Sequence, residues 1–260
     1  MNLDEDFHVH STFSDGASTL ADNVQAARER GLRTLCLVDH VRRDTTWVPE
    51  FTAAVEEYRD QPGLPGLRVL AGVEAKILDT SGQLDIPPAL SGIDLVLIAD
   101  HQFPADTGPV HPAEVRSALE YGSLRPGEAI ERLCQATANA ALGCGFRPLV
   151  AHLFSLLPKI GLDEAMVPDP LLADLAKRVA HAGAMVEVNE KWSCPSARTL
   201  RAFASAGVSL VASTDSHDCA SVGRYDSVAR TLARVFPDAV FPAAVFTEAA
   251  SPGSASPGVT

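Results

Sequence analysis

Six of the eight histidines in this 260-residue chain sit in short motifs that end apolar runs. They are His8 and His10, His40 after Asp39, His101 after Asp100, His152 in Val-Ala-His, and His217 in Asp215-Ser-His. Glu74 ends another apolar run, and Asp15 follows His10 in Ser14-Asp15-Gly16. Imidazole with carboxylate is the ligand palette for zinc, manganese or iron, not for calcium. With Asp215, the set exceeds what one tetrahedral ion can use. It suits two or three ions with one carboxylate bridging. Clustered divalent ions serve in-line displacement at phosphorus: they hold the phosphoryl oxygens, lower the pKa of a bound water and neutralise the leaving oxygen.

Such a set works only if the fold gathers it. Short, nearly continuous apolar runs predict strands at Phe7–His10, Leu35–His40, Val69–Ile77, Leu95–His101, Leu149–His152, Met185–Asn189 and Leu210–Asp215. Runs of this kind suit parallel strands buried on both faces. Helical spacing predicts helices over Ser18–Arg30, Pro126–Leu142, Pro170–His181, Ser196–Ala206 and Val222–Val235. Gly143-Cys-Gly145 reads as a helix stop, since a dinucleotide fingerprint needs a third glycine and a preceding strand. Alternating strands and helices make a β/α barrel or an open α/β sheet. A barrel collects its strand ends in one ring at the C-terminal face. Residues two apart on a strand share a side, so His8 and His10 can grip one ion.

The ordered motifs resemble those of the polymerase and histidinol phosphatase (PHP) family. The resemblance rests on His8-x-His10, Ser14-Asp15-Gly16, Asp39-His40, Gly72-Val-Glu74, His101, Ala151-His152 and Asp215-Ser-His217, from about Asp6 to Tyr225. It implies an α/β fold, a distorted seven-stranded (β/α)7 TIM-like barrel, and a three-metal site. One ion would take His8, His10, Glu74 and Asp215; a second Glu74, His101 and His152; a third Asp15, His40 and His217. It also implies hydrolysis of a small phosphate ester, by a hydroxide bridging two ions. The substrate class is a histidinol-phosphate-type monoester or a nucleotide diester. Glu74, Asp15, Asp215 and His217 are the catalytic candidates, with no leaving-group acid singled out.

Cations just past strand ends are the substrate-binding candidates: Lys191, Arg224, Arg42 and Arg43. A solvated surface position competes with that role for each. Lys76, two after Glu74, pairs structurally or points the same way. Asp39, Asp100 and Asp218 flank candidate ligand histidines; they either orient those rings from behind or, as the favoured expectation, stand in solvent. His111 and His181 lie outside the pattern, at the surface.

Composition narrows the classes. The formal net charge is −12, which argues against long nucleic acid and against an anionic membrane as partner. Five scattered cysteines (Cys36, Cys134, Cys144, Cys194, Cys219) with no C-x-x-C pair argue against a disulfide framework. The acidic N-terminus is unlike a secretory leader, so a cytoplasmic enzyme is the expectation. Residues 1–248 read as one barrel domain, followed by a Ser/Pro/Gly tail, 249–260, too poor in apolar residues to pack. The alternatives are an amidohydrolase-like barrel acting on a C–N or C–O bond and a metal-dependent regulatory or scaffolding domain. Asp15 and His217 are surplus to the first, and the full ligand set speaks against the second. Composition and motifs leave the oligomeric state open.

Overall fold

The computed structural model describes residues 3–59 and 66–237; the expected 249–260 tail and the last residues of the 1–248 domain lie outside them. In chain order the elements are β1 (Glu5–Val9), α1 (Leu20–Glu29), β2 (Thr34–Val41), α2 (Val48–Arg59), β3 (Arg68–Lys76) and β4 (Leu95–Ala99). A small hairpin follows, β5 (Phe103–Ala105) and β6 (Gly108–Val110), then α3 (Pro112–Glu120), α4 (Pro126–Gly143) and β7 (Pro148–Val150). The chain continues through α5 (Leu156–Lys159), α6 (Asp169–His181), β8 (Met185–Asn189), α7 (Ala197–Ser205), β9 (Ser209–Ser213) and α8 (Ser227–Val235).

All seven expected strands form, and they pair in parallel in the order β1-β2-β3-β4-β7-β8-β9. The sheet closes on itself where Val9 bridges Ser216: His10 N–H donates to Ser216 O at 2.8 Å and Ser216 N–H to His8 O at 3.2 Å. The architecture is therefore an α/β seven-stranded TIM-like barrel.

One apolar cluster joins every strand: Phe7, Cys36, Val38, Leu70, Leu95, Leu97, Ala99, Leu149, Ala151, Met185 and Val211. Side chains from all seven strands meet only in the lumen, so this cluster plugs the barrel. Strand alternation then decides what stands above the plug. His40 is two past Val38, His101 two past Ala99, Glu187 two past Met185, and Glu74 shares the side of Leu70. Gly72 lies between Leu70 and Glu74; a Cβ there would stand 3.0 Å from Cys36 Sγ and Val38 Cγ2.

Helices cover the outer face. α1 and α2 lay Leu20, Val24, Phe51 and Val55 against Leu35, Leu37 and Val69. α4 and α6 bury Ile130, Leu133, Leu172, Leu175 and Val179 against Val96, Ile98 and Val186. Each fully buried aliphatic side chain contributes roughly 1.5–3 kcal/mol.

Several expectations need correction. Thr19, not Ser18, caps α1, through a reciprocal capping box with Asp22. Ser18 Oγ instead accepts from Cys219 N–H at 2.9 Å, tying that turn to the loop after His217. α8 starts at Ser227, because Gly223 takes φ +65° and donates its N–H to Asp6. Helices α2 and α3 and the β5–β6 hairpin lie where no helix or strand is expected from the sequence. Among the described residues, no helix is long and apolar enough to cross a membrane.

Candidate metal centre

The nine side chains meet at the C-terminal mouth of the barrel, around Glu74. This carboxylate is buried at the end of β3. Its Oε1 lies 2.9 Å from both His101 Nε2 and His152 Nε2. Its Oε2 lies 2.9 Å from His40 Nδ1, 3.4 Å from His8 Nε2 and 3.5 Å from His10 Nε2. Five imidazoles from four strand ends thus surround one carboxylate, split between its two oxygens.

A second carboxylate, Asp15, is carried by the loop after β1. Its oxygens stand 3.6 Å from His10 Nδ1 and 3.4 Å from His40 Nε2 and His217 Nε2. Asp215, just past β9, is 3.5 Å from His10 Nε2 and 3.4 Å from His217 Nδ1. Three ligand groupings emerge: His10, Asp15, His40 and His217; His8, His10 and Glu74; His40, Glu74 and His101. These differ from the sets implied by the family resemblance. His10 and His40 each stand between two groupings, and Asp215 faces His10 and His217 together.

Two of the candidate ligands depart from regular backbone. Asp215 has φ +53° and His152 φ +26°. Such conformations cost about 1–3 kcal/mol in a non-glycine residue and gather at functional sites. At His152 the break in alternation brings the ring inward directly after Ala151, which already faces the lumen.

The residues fit divalent cations. Glu74 Oε2 and His10 Nδ1 are buried and make no hydrogen bond among the described residues. Three imidazole nitrogens lie within 3.5 Å of Glu74 Oε2, yet none hydrogen-bonds to it. His8 Nε2 and His10 Nε2 lie 2.9 Å apart, but Glu74 Oε2 has no donor of its own; a buried acceptor without a partner is costly, and a cation shared with these imidazoles would satisfy it.

Charge tells the same story. Burial alone would raise Glu74, but His101 and His8 hold it well below the usual carboxylate range. Burial likewise opposes the charge on Asp215, which His8 and a hydrogen bond with His10 overcome, so its pKa is lowered. Burial disfavours protonated His152, yet hydrogen bonds to Asp100 and Glu74 push it up to about 10. His8 is raised well above its ordinary value by Glu74 and Glu187 despite its burial. Burial lowers His10 to about 4. In the protein alone, protons stand in for part of the positive charge that metal ions would supply.

The supporting residues are less exposed than the sequence led one to expect. Asp39 is buried and accepts from Ser11 N–H at 3.0 Å, Ser11 Oγ at 2.6 Å, Ser14 N–H at 3.1 Å and Ser14 Oγ at 2.5 Å. It pins the loop that carries Asp15. Gly16 is needed in that loop, since a Cβ there would meet His10 backbone at 2.7 Å. Asp100 is also buried and accepts from Ser155 Oγ at 2.9 Å while facing His152 Nδ1 at 3.3 Å. Asp218 is solvent-exposed, as expected. So are His111, which caps α3, and His181.

The candidate cations divide. Lys191 Nζ lies 3.2 Å from Asp215 Oδ1 and 3.2 Å from His217 Nδ1, inside the ligand ring. Arg42 lines an open cleft of about 590 Å³ beside the centre, with Phe13, Trp47 and Lys76. Lys76 is held by Gln102 Oε1 at 3.0 Å and Asp85 at 3.8 Å. Arg224 lines a neighbouring cleft shared with Lys191 and His217. Arg43 lines a separate surface depression with Leu84 and Pro87 and does not join the centre. Phe103, at the start of the β5–β6 hairpin, is packed in the core.

Two contacts escaped the sequence reading. Trp192 Nε1–H donates to Asp215 Oδ2 at 2.8 Å, and Lys159 Nζ sits 4.0 Å above the Trp192 ring. Glu187 of β8 stands behind His8 with Nδ1···Oε2 at 3.1 Å. The available signal was a lone acid inside an apolar strand, Met-Val-Glu-Val-Asn.

The chain resembles known proteins in sequence and in fold. The PHP domain family matches residues 6–190. A probable phosphatase of Caldanaerobacter subterraneus is 24% identical over 243 residues, covering 87% of this chain and 81% of the relative. One from Shewanella piezotolerans is 32% identical over 152 residues, covering 53% of this chain and 61% of the relative. Another, from Vibrio parahaemolyticus, is matched over about half its length, 51%, at 29% identity. In fold, the chain resembles a histidinol phosphate phosphatase from Lactococcus lactis, crystallised with zinc, L-histidinol and phosphate. The TM-score is 0.63 at 16% identity, over 89% of this chain and 92% of that one. With its family match covering most of the chain and the family motifs gathered at one barrel mouth, the chain belongs to the PHP domain family.

Proposed function

We infer that the chain is a metal-dependent phosphoesterase that hydrolyses a small phosphate ester at the Glu74-centred cluster. The observation that carries this reading is Glu74 itself. It is buried and has imidazoles on both oxygens, and its Oε2 makes no hydrogen bond among the described residues. The nine ligands suit three divalent ions of the zinc, manganese or iron class. When bound, such ions hold phosphoryl oxygens and make water a nucleophile at neutral pH.

The chain's own residues supply the rest. Glu74 joins the two sides of the cluster, and Asp15 holds the outer histidines His40 and His217 in reach. Lys191 and Arg224 face the same end of the site, where they balance non-bridging phosphoryl oxygens. Asp215, with Lys191 and the Trp192 indole on its oxygens, keeps its charge and orients toward His10. The cleft past Arg42 and Trp47 receives the alcohol of the ester. It is open, so it admits a compact substrate and excludes no water. The Lactococcus lactis protein was crystallised with histidinol and phosphate, which supports a small phosphomonoester. A short nucleotide diester fits the same open mouth, and a long polyanion is disfavoured by the −12 net charge.

The test is a panel of phosphomonoesters, nucleotide diesters, amides and lactones, offered to protein reconstituted with zinc, manganese or iron(II). Metal-dependent release from at least one phosphate ester is the expected result. Turnover of an amide or lactone with every phosphoester left intact would overturn the reading in favour of an amidohydrolase-like activity. Full metal loading with no turnover of any compound would favour a regulatory domain.

A further inference from the structure

Glu187 is fully buried in the middle of β8, and its only ion-pair partner among the described residues is His8. Four donors converge on its two oxygens. Oε2 accepts from Ser213 Oγ at 2.7 Å and faces His8 Nδ1 at 3.1 Å. Oε1 accepts from Asn189 Nδ2 at 2.8 Å and from the backbone N–H of His152. An ionised carboxylate has only acceptor sites, so all four bonds form together.

The two arms reach different parts of the centre. Accepting a hydrogen bond from His8 Nδ1–H fixes that ring's tautomer and leaves Nε2 to face Glu74 Oε2 at 3.4 Å. Holding the His152 N–H steadies a residue at φ +26°, whose ring presents Nε2 to Glu74 Oε1 at 2.9 Å. One buried acid therefore sets a ligand on each oxygen of the central carboxylate.

We propose that Glu187 is a positioning residue that couples the two sides of the metal centre, through the His8 ring and the His152 backbone, so that its loss weakens both together. The proposal rests on the cluster being a metal centre. Outer partners of ligating histidines orient the ring and raise its basicity, and losing one typically costs 10–100-fold in metal affinity. A partner that serves two ligands across a bridge has that effect on more than one ion.

The test uses Glu187→Gln, which keeps shape and volume. Glutamine has one acceptor and one donor end, so one arm must face its donors with an NH2 group. Zinc is the probe, measured by competition with a chromophoric chelator on protein whose circular dichroism matches the parent. The expected result is about 10–100-fold weaker zinc binding for both the first and the last ion released. A folded variant with unchanged zinc affinity, or with only one ion weakened, overturns the proposal. If Glu187→Gln fails to fold, Ser213→Ala frees the Oε2 arm while keeping the charge. Several-fold weaker zinc binding is then expected, and unchanged affinity overturns the proposal. The readout needs no ester, so a protein inactive on every phosphoester still decides it. A parent protein that binds no zinc overturns both this proposal and the metal centre.

Discussion

Glu74→Gln abolishes turnover: phosphoester hydrolysis falls by at least about 10³-fold, the size of a transition-state contribution of about 4 kcal/mol. The reason is geometric. Glu74 Oε1 serves His101 and His152 while Oε2 serves His40, His8 and His10. An amide keeps one acceptor and turns a donor toward imidazoles that present lone pairs. It also removes the negative charge that the five imidazoles surround. Metal content falls together with activity, while the barrel survives because Leu70 and Gly72 below Glu74 still pack against Val38 and Leu97. Turnover within threefold of the parent, measured under saturating metal, would refute the bridging role.

Removing metal lowers the melting temperature by a large and pH-dependent amount. A ligand present at a thousand times its dissociation constant stabilises the native state by about 4.1 kcal/mol. For a domain near this size each kcal/mol moves the midpoint by about 2–4 °C, so chelation lowers it by roughly 8–16 °C. The pH dependence follows from His152. Its folded pKa is raised to about 10 from 6.5. In the metal-free protein it therefore adds stability that is fully present below pH 6.5 and is lost as pH rises through about 10. Metal binding must displace that proton, and the one on His8, so retention strengthens over the same range. The gap between loaded and chelated protein widens from pH 7 toward pH 10. Calorimetry on both forms checks this; a gap that is absent, or that narrows with pH, contradicts it.

Much of this was legible in the chain because barrel geometry turns strand order into spatial convergence. His40, Glu74, His101 and Asp215 needed only the rule that alternate residues share a side, since each stands an even number of residues past a lumen-facing apolar residue. His8 and His152 obey no such rule. β1 shifts register between Asp6 and Val9, and His152 turns inward through a positive φ. Their positions at strand ends were legible, but the local backbone that turns them inward was not.

What was missed is mostly what sits behind the ligands. Glu187 interrupts an apolar strand, and its value depends on Asn189 two residues on and on Ser213 and the His152 backbone, which are both distant in sequence. Asp6 is similar. Burial raises it to about 6 even though Thr214 and Gly223 donate to it, and those partners lie at the other end of the chain. Asp39 and Asp100 looked like polar flanks next to histidines, yet closure of the barrel buries them. Helix α2 was legible but passed over: its buried Val48, Phe51 and Val55 stand at i, i+3 and i+7, one helical face.

The same long-range dependence separates the cations. Lys191 enters the ligand ring because β8 and β9 bring it beside Asp215. Arg42 and Arg43 are adjacent in sequence, but only Arg42 reaches the cleft.

The account stands on the nine clustered side chains holding more than one ion, and elemental analysis of the purified, metal-replete protein tests that most directly. Two to three zinc, manganese or iron atoms per chain, lost together on chelation, is the predicted result for the groupings around Glu74 and Asp15; less than one atom per chain would contradict it.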